Sequence, residues 1–142
     1  MEIHFTVPGE PQGKGRPIAS TVTGNVKMRT PEDTVSYENS IAMEYKRQCK
    51  YRFEDKEALH MSVTAIYTIP KRISKTKRKQ MADDIIRPTK KPDVDNVLKV
   101  IADSLNGIAY RDDAQIVSVL LNKFYGEKPG LIIVISCATL PF

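Results

Sequence analysis

The chain reads as one α/β domain spanning residues 1–142, with a small mixed β-sheet packed by helices. Three observations predict this. The length of 142 residues is about that of one domain. Two-residue and helical hydrophobic periods follow one another in the order strand, helix, strand, helix, helix, strand, strand. No repeat, linker or low-complexity tract interrupts them.

The first element is residues 2–7, where Ile3, Phe5 and Val7 alternate with polar neighbours until Pro8-Gly9 stops the pattern. Residues 8–30 are rich in Gly and Pro, carry the Gly24-Asn25 turn signal and lack apolar periodicity, so a loop is expected. Thr30-Pro31-Glu32-Asp33 has the chemistry of a helix start, and Val35, Ile41, Ala42 and Tyr45 follow at helical spacing, which predicts a helix over about 31–49. The clearest strand is 58–69, with Leu59, Met61, Val63, Ala65, Tyr67 and Ile69 on one face. Ser74 can cap a short basic helix running to Asp84. Val94, Val97, Leu98, Ile101 and Leu105 form an apolar stripe, closed by Asn106-Gly107, which predicts a helix over about 94–106. Residues 116–124 and the β-branched run 131–137, separated by turn chemistry at 126–130, predict a hairpin in the middle of the sheet.

Composition excludes several classes. With 41% hydrophobic and 27% charged residues the chain has the make-up of a soluble globular protein, and its longest uncharged apolar run is too short to span a bilayer. Met1-Glu2-Ile3-His4-Phe5 lacks the features of a secretory signal, so the cytoplasm is the expected compartment. Cys49 and Cys137 lie far apart with no Cys-x-x-Cys partner, which predicts reduced, buried thiols. Gly9 to Lys14 is one residue short of a phosphate-binding P-loop, and Gly13-x-Gly15 lacks the third glycine of a dinucleotide fingerprint. No nucleotide cofactor is expected. His4 and His60 sit in strands without a nucleophile in sequence partnership, so no hydrolase triad can be assembled.

Charge is concentrated. Residues 71–91 hold nine bases (Lys71, Arg72, Lys75, Lys77, Arg78, Lys79, Arg87, Lys90, Lys91) and two acids, a net +7 in a chain whose total is +5. A near-neutral body with one cationic stretch suggests a polyanionic partner, set against the plainer reading of a solvated helix face.

That stretch feeds directly into Lys91-Pro92-Asp93-Val94-Asp95-Asn96-Val97-Leu98-Lys99, which is followed by Tyr110-Arg111-Asp112-Asp113-Ala114-Gln115. Pro92 and the helix start can aim Asp93 and Asp95 at a common point, and a turn after Gly107 could bring Asp112 and Asp113 near them. Clustered carboxylates are hard oxygen ligands suited to Mg²⁺. Lys99 lies four residues after Asp95 and four before Asp103, which permits either a surface ion-pair ladder or a cation beside a metal site. Helix capping by Asp93 or Asp95 and a turn at Asp112-Asp113 are the structural alternatives. Bases that grip a polyanionic backbone beside acids that hold the attacking metal form a coherent whole.

These residues closely resemble the RusA family of Holliday junction resolvases. The resemblance covers about residues 88–135 through Lys91 to Lys99, then Asp103 to Ile116 with its Asn-Gly and Asp-Asp-x-Gln, then Lys123-Phe124-Tyr125-Gly126. A weaker similarity lies at Pro8-Gly9-x-Pro11 and Lys14-Gly15-Arg16-Pro17, where Ile18 stands in place of a further arginine common in the family. The resemblance implies a RusA-like fold, metal-site aspartates at Asp93, Asp95 and Asp113, a catalytic lysine at Lys99 and an accessory role for Asp112. It implies an Mg²⁺- or Mn²⁺-dependent homodimer that cuts four-way DNA junctions by paired symmetric nicks, of a kind often carried by phages and prophages. Expected DNA contacts are Lys14 and Arg16 together with the nine bases of 71–91. Two rival readings remain: a metal nuclease acting on flaps, single strands or RNA, and a DNA-binding protein whose acids are only structural.

Overall fold

The structure is a computed structural model and describes residues 1–22 and 24–138. Its elements are β1 (Glu2–Pro8), β2 (Ile18–Val22), β3 (Asn25–Arg29), α1 (Glu32–Gln48), β4 (Leu59–Thr68), α2 (Lys75–Ala82), α3 (Val94–Ser104), a 3-10 turn at Asp113–Gln115, β5 (Ile116–Gly126) and β6 (Gly130–Cys137). Four strands form one mixed sheet in the spatial order β1-β6-β4-β5, in which only β4 and β5 run parallel. The predicted α/β class with a mixed sheet packed by helices is the class observed.

Strict alternation fixes which face of the sheet is covered. Leu59, Met61, Val63, Ala65 and Tyr67 are buried while the residues between them are half-buried. Val63 lies opposite Ile133 of β6, which in turn lies opposite Phe5 of β1, so the buried sets of three strands share one face. A slip of one residue in any of these pairings would turn its whole apolar set outward. Onto this face pack Tyr37, Ile41 and Tyr45 of α1 and Val97, Val100 and Ile101 of α3. Phe5 and Tyr45 meet edge to face with centroids 5.2 Å apart, the geometry that aromatic quadrupoles favour. No helix among the described residues is long and apolar enough to cross a membrane.

Three expectations need correction. The loop predicted over 8–30 contains the antiparallel hairpin β2–β3 over 18–29. It forms a separate two-stranded sheet, in a stretch whose Gly and Pro content and weak apolar periodicity read as a loop. Segments 116–124 and 131–137 are strands but not a hairpin, since β4 lies between them and β5 is an edge. Adjacent strands stand about 4.8 Å apart, and the connection through Glu127, Lys128 and Pro129 is long enough to step across β4, where a tight hairpin uses a two-residue primed turn. The two thiols are unpaired but only half-buried. Cys49 Sγ donates to His4 O at 3.4 Å and Cys137 Sγ to Glu57 Oε1 at 2.7 Å, polar partners available only near the surface.

Candidate active site

The helix that carries the first acid pair is anchored at its start. Asp93 is the N-cap of α3 with an extended backbone, and its carbonyl accepts the Val97 N–H at 3.0 Å while its carboxylate makes no capping bond. Tyr67 of β4 donates its hydroxyl to Pro92 O at 2.8 Å, which ties this start to the end of the central strand. The side chains of Asp93 and Asp95 are therefore left exposed rather than used up as caps.

A turn returns the second acid pair to the same helix. Gly107 has φ +74, a conformation that favours glycine, and its N–H donates to Tyr110 O at 2.8 Å. Tyr110 is fully buried and donates its hydroxyl to Ala102 O at 2.6 Å. Asn106 Oδ1 then accepts the Asp113 N–H at 2.8 Å. Gln115 fastens the far side, accepting from Arg111 N and Asp112 N and donating to the carbonyls of Glu54 and Glu57.

The result is a cleft of about 250 Å³ between α3 and β5, lined by Asp95, Leu98, Lys99, Ala102, Asp113, Ile116 and Val119. Asp95, Lys99 and Asp113 thus share one concavity. Asp93 is not among its lining residues; it stands at the helix start, where its charge helps raise the Tyr67 hydroxyl to about 12, behind the larger effect of burial. Asp112 lines a neighbouring hollow with Arg111 and Lys56.

Behind the cleft lies a carboxylate without an assigned role in the resemblance. Asp103 stands near Asp113, and burial first, then the neighbouring carboxyls of Asp112 and Asp103, push the Asp113 carboxyl above its ordinary value. The i, i+4 ladder Asp95-Lys99-Asp103 is not formed: among the described residues Lys99 has no ion pair, and Asp103 pairs with Lys14 instead. Lys14 Nζ lies 3.2 Å from both Asp103 Oδ2 and Glu38 Oε2. Its backbone N–H donates to Asn96 O at 3.1 Å and the Gly15 N–H to Thr34 Oγ1 at 2.9 Å, so this loop straps α1 to α3. Lys14 was expected to contact DNA, and the structure engages its ammonium internally. Arg16 is exposed.

The cationic stretch lies alongside. Lys71, Arg72, Lys75, Lys77, Lys79, Lys90 and Lys91 are exposed on and around α2, which packs against β5. Ser74 caps α2 as predicted, its hydroxyl accepting the Lys77 N–H at 3.2 Å. Arg78 is half-buried, donating to Pro70 O at 2.8 Å and pairing with Glu127 at 3.6 Å. Arg87 donates to Lys123 O and Asn122 Oδ1 and lies 4.1 Å over the Phe124 ring, on the edge of β5.

The sequence profile of the family described as Endodeoxyribonuclease RusA matches residues 8–136. The chain belongs to the RusA endodeoxyribonuclease family. The matched span runs from the end of β1, through the strap, to the end of β6, and so takes in the whole cleft. Over 135 residues the chain is also 36% identical to the "Uncharacterized protein YqaN" of Bacillus subtilis (strain 168), covering 94% of each protein.

For a RusA-family nuclease the donor set of the cleft bears on metal. No three Asp, Glu, His or Cys residues among the described ones gather into a ready-made metal cluster. Two hard-oxygen carboxylates, Asp95 and Asp113, nevertheless line one cleft, and one or two protein carboxylates plus water and phosphate oxygens is the usual complement of Mg²⁺. The like-charged crowding at Asp113 is the environment a cation relieves.

Proposed function

We propose that the chain is a divalent-metal-dependent endodeoxyribonuclease that resolves four-way DNA junctions by paired nicks, with the cleft between α3 and β5 as its active site. The observation that carries this reading is that Asp95, Lys99 and Asp113, drawn from two separate motifs, line one cleft, in a chain whose cationic stretch 71–91 runs directly into the first of those motifs.

Asp95 and Asp113 would hold the metal, with Asp93 at the mouth as the third carboxylate. Mg²⁺ or Mn²⁺, when bound, supplies charge neutralisation at the scissile phosphate and promotes ionisation of water. The protein's own groups do the rest. Lys99 donates hydrogen bonds to the negative charge that builds on the phosphoryl oxygens as water adds to phosphorus and the P–O bond to the leaving strand breaks. Leu98, Ala102, Ile116 and Val119 give the cleft apolar walls, which lower the local dielectric and strengthen that interaction. The exposed bases around α2 hold the flanking backbone, and their affinity falls as salt rises. Symmetric nicks in a two-fold junction require two such clefts, so a homodimer is part of the proposal.

The test is a substrate panel: a labelled four-way junction, a flap, linear duplex, single-stranded DNA and RNA, each in Mg²⁺ and in EDTA. Paired nicks confined to the junction and abolished by EDTA are expected. Binding to the junction without cleavage in any metal would favour a DNA-binding protein with structural acids, and preferential cutting of flaps or RNA would move the substrate.

A further inference from the structure

Two lysines converge on Tyr67, the residue that holds Pro92 at the start of α3. Lys123 of β5 directs Nζ at the ring of Tyr67, 5.1 Å from its centroid, and Lys90 Nζ lies 5.9 Å from the same centroid and 5.8 Å from that of Tyr125. Among the described residues neither ammonium has a carboxylate within 4 Å. Aromatic faces offset a cation's charge only in part. Two ammonium groups held around one ring attract an anion, against the carboxylates of Glu10 and Asp93 whose charges also reach Tyr67.

The arrangement is built rather than incidental. Lys123 Nζ donates to Lys90 O at 2.6 Å, which fixes the segment that carries Lys90 against β5. That bond uses one of three N–H donors. Lys90 is exposed, and its ammonium makes no hydrogen bond among the described residues. Tyr67 is only 1% exposed, so its own ring cannot stack on a base. Through its hydroxyl the same Tyr67 holds Pro92, the residue before Asp93. One side chain therefore fixes the distance between the two cations and the start of the acid motif.

We propose that Lys90 and Lys123, set on Tyr67 and Tyr125, form a subsite for one backbone phosphate of DNA next to the scissile one. Its occupancy sets how far the strand advances toward Asp93 and Asp95. The subsite rests on the DNA-nuclease reading above and adds to it a residue, Lys123, that lies outside the cationic stretch 71–91.

A methylphosphonate scan tests this. Junctions are prepared with a single uncharged linkage at successive positions around the branch point, and binding is followed by fluorescence anisotropy in EDTA for the wild type, Lys90→Gln and Lys123→Gln. At one linkage near the cut, neutralisation is expected to weaken the wild type about tenfold, each single variant less, and the double variant Lys90→Gln/Lys123→Gln not at all. On unmodified junctions, the slope of log affinity against log salt should become shallower by about 1 in the double variant. Lys90 is exposed, so its substitution leaves the fold intact and keeps the test decisive where Lys123→Gln is unstable. Variants that follow the wild type at every linkage would overturn the subsite and leave the nuclease reading standing. A wild type that binds none of these DNAs would overturn both.

Discussion

Lys14 Nζ sits 3.2 Å from Asp103 Oδ2, so a loop near the N-terminus places its one ammonium directly behind the carboxylates of a helix nearly ninety residues later. The pair is well covered, with 18% and 25% of the two side chains exposed, and Glu38 completes it from α1 at 3.2 Å. Its charge offsets part of the repulsion among Asp103, Asp112 and Asp113. Replacing Lys14 with Met should cost about 1.5–3 kcal/mol, the range for hydrogen bonds to charged groups, because two covered carboxylates lose their partner. Chemical denaturation checks this. The salt dependence of DNA binding should stay unchanged in the same variant, and a shallower slope would return Lys14 to the DNA contacts.

The same pair predicts a pH dependence. Burial acts to lower the Lys14 value, but the bonds and charges of Glu38 and Asp103 outweigh it and hold the folded value above 10.5. A group that binds its proton more tightly when folded contributes its stability in full below the unfolded value and loses it as pH rises through the folded one. The stability difference between wild type and Lys14→Met should therefore hold on the alkaline side up to about pH 10.5 and shrink above it. Denaturation curves of both proteins between pH 8 and 12 measure it, and a gap that closes below pH 9 would contradict the assignment.

Metal binding should stabilise the fold. On the proposed reading Mg²⁺ raises the melting temperature, by an amount that grows with the logarithm of its concentration above Kd, since only the folded cleft would hold it. Asp95→Asn should weaken that increment. Asp113→Asn should weaken it too while raising the melting temperature of the metal-free protein, because it removes one charge from a crowded carboxylate group. Identical melting curves with and without Mg²⁺ would count against a metal at this position.

The strap itself is intolerant of bulk. A Cβ at Gly13 would come within 2.9 Å of Asn96 Cβ and of Pro92 Cβ, both held by the start of α3. Gly13→Ala should therefore displace the loop or the helix start and cost about 1–3 kcal/mol, as overpacking commonly does. Cleavage should fall further than stability does, because Pro92 leads into Asp93. Parallel melting and cleavage measurements separate the two effects.

Much of this architecture was legible in the residue order. The alternation from Leu59 to Tyr67 and the stripe from Val97 to Ile101 report burial directly, because each face meets a single environment. Asn106-Gly107 announced the turn that returns Asp113 to the helix, since a positive φ has a residue preference. Partners distant in sequence were not legible. The ion pairs of Lys14 are an example, because its acids, Glu38 and Asp103, stand 24 and 89 residues away, and only the packing of α1 on α3 unites them. Lys123 stands in the resemblance only within Lys123-Phe124-Tyr125-Gly126, with no role of its own, and its place depends on parallel pairing that sets it beside Ala65, two residues before Tyr67. The β2–β3 hairpin escaped because Ile18 to Arg29 carries no sustained two-residue apolar alternation in its sequence.

The central claim is that the cleft holding Asp95, Lys99 and Asp113 is where DNA is cut. Its most direct test is single-turnover cleavage of a four-way junction in Mg²⁺ by wild type, Asp95→Asn and Asp113→Asn, with junction binding measured in parallel. Each substitution should lower the cleavage rate by at least about a hundredfold, on the order of 2.7 kcal/mol in the barrier, while binding is retained. Variants that bind and cut at the wild-type rate would place the chemistry elsewhere.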